Sequence, residues 1–258
     1  MHHHFSKTFI KYIPVLLIFI SSCAKEIYTD EDAANAKREA QKVGLTVMIR
    51  DVGNPSADLS GFMVVTSQCG EEIEEFTSAD GIANLKMIQG DAVLQVRKTG
   101  YFATTAVVTT RSSEKERTNT VVVIPVISDT PGTGTLNGTV SVKTLPSAEE
   151  PLAGAMVSIN MDMNELMRLA FQNLSGDADR YSPGILTYTS ANLMQPVRTN
   201  ISGEFQLTIP ATVADLVYTV NVHETAWTQH TFCSAIQNVV TNGKNSPEVF
   251  FHLTPYEK

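Results

Sequence analysis

The chain repeats itself, and that repeat is its strongest constraint on folding. Thr46-Val47-Met48-Ile49 lies over Thr139-Val140-Ser141-Val142 at an offset of 93 (139 − 46), and Leu59-Ser60-Gly61-Phe62-Met63-Val64 lies over Leu152-Ala153-Gly154-Ala155-Met156-Val157 at the same offset. Further on the offset becomes 122 (199 − 77), so that Thr77-Ser78-Ala79-Asp80-Gly81 meets Thr199-Asn200-Ile201-Ser202-Gly203. Asp91-Ala92-Val93-Leu94-Gln95-Val96 then matches Asp215-Leu216-Val217-Tyr218-Thr219-Val220. Each copy closes on one more β-rich run, Thr120 to Ile124 and Glu248 to Leu253. One order of segments used twice predicts two related units, residues 44–127 and 135–258. Ser128-Asp129-Thr130-Pro131-Gly132-Thr133-Gly134 reads between them as a linker over 128–134, rich in turn residues.

The repeated segments are short, rich in Val, Ile, Thr and aromatics, and broken by turn residues every eight to twelve positions, which predicts strands. Glu204-Phe205-Gln206-Leu207-Thr208-Ile209 alternates polar and apolar, the period of a sheet with one face on a core. Asp80-Gly81 and Ser202-Gly203 stand where strands reverse, and glycine reaches the positive φ of a tight hairpin. Facing sheets of this kind make sandwiches, so the predicted class is all-β with two tandem β-sandwiches.

An opening strand, Pro-Leu-Ala-Gly-Ala at 151–155, Thr199 to Phe205 in a Thr-x-x-x-Gly-x-Phe pattern, and a strand of alternating Val together resemble the carboxypeptidase regulatory-like domain, a small transthyretin-like, Ig-like β-sandwich. Lys98-Thr99-Gly100-Tyr101 in the first copy resembles the Gly-Tyr that follows the penultimate strand of that family. The second copy has Glu224-Thr225 there, and the first has Ile82-Ala83 where an aromatic is usual. The resemblance implies stability, adhesion or spacing within larger assemblies, and carries no catalytic residue.

The step from 93 to 122 places 29 extra residues (122 − 93) in the second copy, within an insertion spanning 160–196. Met163, Leu166, Met167, Ala170, Phe171 and Leu174 keep helical spacing on one face. Asp162 with Glu165 predicts a capping box, and Gly176 a stop. Met163, Leu166, Met167 and Phe171 form either an adaptable Met-rich surface for a partner or apolar ligand, or the inner face of a helix closing one end of its own sandwich. Residues 175–195, with Asp177, Asp179, Tyr181 and Tyr188, read as a surface loop, because two carboxylates are too few for a calcium site.

At the start, Lys7 and Lys11 precede Tyr12 to Ile20, an apolar run of nine residues. That is short of the roughly 20 needed to cross a bilayer. A basic stretch, a short apolar stretch and small residues before a cut describe a secretory leader, here residues 1–22. Ile20-Ser21-Ser22-Cys23 resembles the lipobox of bacterial lipoproteins, which implies acylation of Cys23, cleavage before it and a stable lipid anchor. Lys25 and Glu26, with Asp30-Glu31-Asp32 beyond, resemble in part the export signal of surface-exposed lipoproteins of Gram-negative bacteria. The expected location is therefore the outer membrane, facing the periplasm or displayed outward, with residues 23–43 as a solvated tether. The net charge of −8 gives no attraction to nucleic acid or anionic headgroups, and nucleic acid is not an expected partner.

The sequence shows no paired His or Cys motif of a zinc site, no nucleophile elbow and no phosphate loop, so neither enzyme chemistry nor a metal or cofactor is expected. Cys69 and Cys233 remain once Cys23 is acylated, either as a disulfide between the copies or as two thiols. Trp227, His230 and Phe232 form either an aromatic platform for a ligand such as a sugar, or part of the core or its rim. The first functional expectation is a non-enzymatic binding, display or adaptor module with an envelope protein or glycan as partner. The alternative is a structural subunit or anchor of a surface filament. It resembles fimbrillins, which are exported as lipoproteins and mature by cleavage after a basic residue, for which Arg38 is eligible.

Overall fold

The computed structural model describes residues 41–258, except 69, 111–119, 130–131, 145–147, 173, 175–180, 192, 224, 228–229, 246 and 257–258. The leader, Cys23, the export signal and Arg38 lie outside the described residues, and the first strand already begins at Lys42, inside the expected tether.

In the first copy, β1 (Lys42–Asp51) lies between β4 (Ile82–Ile88), antiparallel to it, and β7 (Thr120–Val126), parallel to it. The facing sheet runs β6 (Ala103–Thr110), β5 (Gly90–Arg97), β2 (Met63–Gln68), β3 (Glu71–Phe76). In the second copy, β8 (Thr133–Thr144) lies between β13 (Glu204–Pro210) and β18 (Glu248–Leu253), again one antiparallel and one parallel neighbour. Its facing sheet runs β17 (Ala235–Thr241), β14 (Leu216–Val222), β10 (Met156–Met161), β12 (Val197–Arg198). Strand for strand, the two sandwiches have one topology. The second adds β9 (Ala148–Pro151) beside β8, and a small sheet of β15 (Thr225–Trp227), β16 (His230–Phe232) and β19 (Pro255–Tyr256).

The same threonine fastens both copies. Thr77 Oγ1 donates to Leu59 O (2.6 Å) and accepts from Phe62 N (2.9 Å). Thr199 Oγ1 donates to Leu152 O (2.5 Å) and accepts from Ala155 N (3.0 Å). Both threonines are buried, so the hydroxyl satisfies backbone groups that water cannot reach. The hairpin glycines Gly81 and Gly203 have φ of 73° and 74°, the left-handed conformation expected of them.

In one segment the structure differs from the sequence alignment. Ile49 N donates to Gly81 O, and the matching bond is Val140 N to Gly203 O; likewise Met48 pairs with Ile82, and Thr139 with Glu204. The opening strands therefore correspond at 91 (139 − 48), two residues from the alignment by letters. A slip of two keeps every side chain on its face, so hydrophobic alternation does not register it.

The insertion joins the copies. Residues Ile185–Thr189, expected as loop, form β11, which pairs antiparallel with β6 of the first copy from Ile185↔Val107 to Thr189↔Ala103. Tyr181 O accepts from Val123 N of β7 (2.9 Å), and Tyr188 Oη donates to Pro125 O (2.6 Å). The insertion thus crosses the side of the first sandwich between its β6 and β7 edges. Val52, Phe102, Val123 and Ile127 of the first copy share one apolar cluster with the second copy's core, while Leu45, Val47, Ile49, Phe62 and Leu94 form the first copy's own. Val213 and Ala214 donate backbone bonds to Gly53 O (2.8 and 3.1 Å). The described ends of the 128–134 stretch are fastened too, Asp129 N to Gly100 O and Ala211 N to Gly132 O (both 2.9 Å).

Candidate functional site: the groove beside the inserted helix

The inserted helix α1 spans Met163–Ala170. Asp162 is its N-cap, with Oδ1 accepting from Glu165 N (3.0 Å), which is half of the expected capping box. The other half is absent because the Glu165 carboxylate turns to Arg168 one turn later, and that pairing holds it below the usual carboxylate range. The helix ends at Ala170, earlier than expected, with Phe171 as its C-cap and Phe171 N bonded to Met167 O; Gly176 lies outside the described residues.

The four helical residues picked from the sequence divide. Leu166 is 1% exposed and belongs to the second copy's core, which removes it from any partner surface: the apolar stripe is wide enough to serve core and groove at once. Met163, Met167 and Phe171 are half-buried and line a groove of about 680 Å³ against Ile185 and Leu186 of β11. A smaller cavity of about 270 Å³ adjoins it past Met163 and Leu186, reaching Tyr188 and Met194. Ile185 is 60% exposed, and the Phe171 and Tyr181 rings stand 6.3 Å apart. The walls are soft: methionine side chains have three rotatable bonds and a polarisable sulfur, so such a groove adapts its shape. Its chemistry is apolar contact with a basic rim at Arg168.

Of the aromatic trio, one member is withdrawn from the surface. Phe232 is fully buried, which gives it to the core, and Trp227 and His230 are register partners across the β15–β16 hairpin. Cys233 is exposed; Cys69, Asp177 and Asp179 lie outside the described residues.

Two side-chain constellations escape sequence reading because their members come from distant strands. Ser141 Oγ lies 3.0 Å from His252 Nδ1, and Glu149 Oε1 contacts both. The carboxylate is held low by the Ser141 hydroxyl and by His252. Serine and carboxylate meet the same ring nitrogen, whereas a proton relay needs them on opposite nitrogens. Ser158 Oγ and His223 Nε2 stand 2.7 Å apart on an exposed sheet face. Among the described residues no three His, Cys, Asp or Glu converge as metal ligands, and no helix is long and apolar enough to cross a membrane.

No known family profile matches the chain, and no curated protein does. Solved structures of similar shape include the Bacillus anthracis TIE protein, 14% identical, with 83% of this chain and 34% of that protein covered at a TM-score of 0.30. A minor pilin of Streptococcus agalactiae is 12% identical over 84% of this chain and 97% of the pilin, at 0.38. A streptococcal ancillary pilin is 13% identical over 85% of this chain and 64% of that protein, at 0.33. The chain thus spans about a third of the first and nearly all of the second. Likeness at this level carries no function across, and the all-β sandwich assignment stands on the strand pairing itself.

Proposed function

We propose that the chain is a non-enzymatic display module of the bacterial cell envelope, anchored to the outer membrane through lipid on Cys23 and built from two sandwiches akin to carboxypeptidase regulatory-like domains. The observation that supports it is the β11–β6 pairing: the second copy donates a strand to the first copy's sheet. Seams made of sheet hydrogen bonds and shared apolar core bend far less than a linker, so the two copies present their outer faces at a fixed separation. The groove lined by Met163, Met167 and Phe171 is then a surface offered to an envelope protein. Growth with an alkynyl fatty acid, followed by fractionation, tests the anchor: labelled protein in the membrane fraction and unlabelled Cys23→Ala are expected, while unlabelled, soluble wild-type protein overturns the proposal.

A filament subunit or anchor is the second reading, favoured by the edge of β17. It is the counterpart of β6, pairs with no further described strand, and exposes Ile236 (67%) and Val240 (64%). An edge of this kind accepts an added strand. Surface filaments that vanish on deletion of the chain, with a mature N-terminus beyond Arg38, would establish this reading over the first.

A further inference from the structure

The two copies use one row of the same sheet face in opposite ways. On the outer face of the first copy's three-stranded sheet, Ile82, Met48 and Val123 form a row across β4, β1 and β7. Val123 is fully buried and Met48 packs against the second copy's core. In the second copy the corresponding row is Glu204, Thr139 and Phe250, and the row beside it is Gln206, Asn137 and Glu248. Here the face is open. Phe250 is 53% exposed, although Phe251 beside it in sequence is buried against Phe205 with rings 6.5 Å apart.

These side chains line a cleft of about 660 Å³, within the roughly 300–1,000 Å³ of small-molecule sites. The central strand contributes the smaller Asn137 and Thr139 and the flanking strands larger groups, so the face is a trough about two strand spacings wide, roughly 10 Å. Phe250 supplies the exposed aromatic ring, Val197 a further apolar contact, and the polar lining is planar amides, carboxylates, a guanidinium and the Thr139 hydroxyl. Gln206 Nε2 donates to Asn137 Oδ1 (3.0 Å), leaving the Asn137 amide donors and the Gln206 carbonyl for a ligand. Asn200 Nδ2 donates to Glu204 Oε2 (2.9 Å), leaving Oε1, and Arg198 is steadied on Gly154 O (2.8 Å). Glu248 stands across from Asn137 with its side chain exposed.

The geometry points to a binding site for a neutral oligosaccharide, with a pyranose ring stacked on Phe250 and its hydroxyls shared among Asn137, Gln206, Glu204 and Glu248. Sugar hydroxyls both donate and accept, which matches a wall presenting both kinds of group; the C–H face of the ring is the apolar part, which matches one aromatic. Two carboxylates against one guanidinium disfavour uronic acids and phosphorylated sugars. The polar row also disfavours a further copy of this chain docking as the first copy's face is docked, because that face is covered through Met48 and Val123. This ligand adds to the display reading and does not depend on the lipid. Anchored protein that ignores every sugar sinks only the cleft, and unlabelled protein that binds sugar sinks only the anchor.

The test is calorimetric titration of the full-length protein in detergent with maltopentaose, cellopentaose, mannopentaose and chitopentaose, and with trigalacturonate as the anionic control. At least one neutral pentasaccharide is expected to bind more tightly than trigalacturonate. Phe250→Ala is expected to weaken that binding by roughly tenfold or more, as the loss of one stacked ring does, with an unchanged melting curve because the ring is exposed. Silence from all four neutral sugars overturns the inference. So does preference for trigalacturonate, binding that Phe250→Ala leaves intact, or capture of a protein at this face while the sugars stay silent.

Discussion

The first sandwich is closed where the second is open. Both have one strand order, one buried threonine latch and one left-handed hairpin glycine. Yet β6 of the first is covered by β11, whereas β17 of the second pairs, among the described strands, with β14 alone. On the outer face of the first three-stranded sheet the row Ile82, Met48 and Val123 is apolar and at least half-buried, whereas the corresponding row of the second, Glu204, Thr139 and Phe250, is largely polar and open. Duplication kept the interior of the fold and changed its boundaries.

The largest effect is expected from removing that asymmetry. Replacing residues 163–189 with a short Gly/Ser linker would strip the strand from β6 and expose Phe102 and Val123, both at most 2% exposed now. One cooperative urea transition should become two, with a marked loss of stability in the first sandwich; a single unshifted transition would show that the insertion does not couple the copies. Leu166→Ala comes next. It should cost about 2–5 kcal/mol, as large-to-small changes in a core do, while Met167→Ala on the half-buried groove wall should cost under about 1 kcal/mol. Equal losses would deny the division of the helix into core and groove.

The two hairpin glycines differ in how closely the backbone approaches them. An added Cβ would stand 2.4 Å from Val140 O at Gly203 and 2.8 Å from Ile49 O at Gly81, both at positive φ. Each alanine should cost about 1–2 kcal/mol for its left-handed backbone, with Gly203→Ala the worse by its closer clash; chemical denaturation reads the order. Tyr188→Phe removes the bond to Pro125 O and should cost about 1 kcal/mol. Burial also pushes the Tyr188 phenol up, so this hydroxyl stays a neutral donor throughout the range in which the protein is handled.

The smallest expected effect concerns Asp51, which is 5% exposed and lies where the second copy has Val142. Burial raises its pKa against the opposing pull of the Asn54 and Gly53 amides and Lys98. A carboxyl raised in the folded state favours folding more as it protonates. Wild-type stability relative to Asp51→Asn should therefore rise as pH falls through the folded pKa, then level off below the unfolded pKa. A pH-independent difference between the two proteins would contradict this.

The chemistry of the core was legible in the sequence: alternation marked the strands, Asp80-Gly81 and Ser202-Gly203 marked the hairpins, and the change of offset marked the insertion with its helix. Parity is all that alternation encodes, so the two-residue slip between β1 and β8 was invisible. Ile185 to Thr189 carries strand-forming residues, but nothing local names a partner some eighty positions earlier in the other copy. Phe232 and Phe250 look equally aromatic on the page; one is buried and the other 53% exposed, because strand direction and neighbours decide the matter. Asn137, Gln206 and Phe250 converge only once β8, β13 and β18 are laid side by side.

Amide hydrogen exchange over residues 185–189 reads whether the second copy's strand is part of the first copy's sheet. If β11 completes the first sandwich, the amides that face β6 should exchange as slowly as those of β5 and β6 and open together with them. Exchange at the rate of an exposed loop, while β5 and β6 stay protected, would contradict the account.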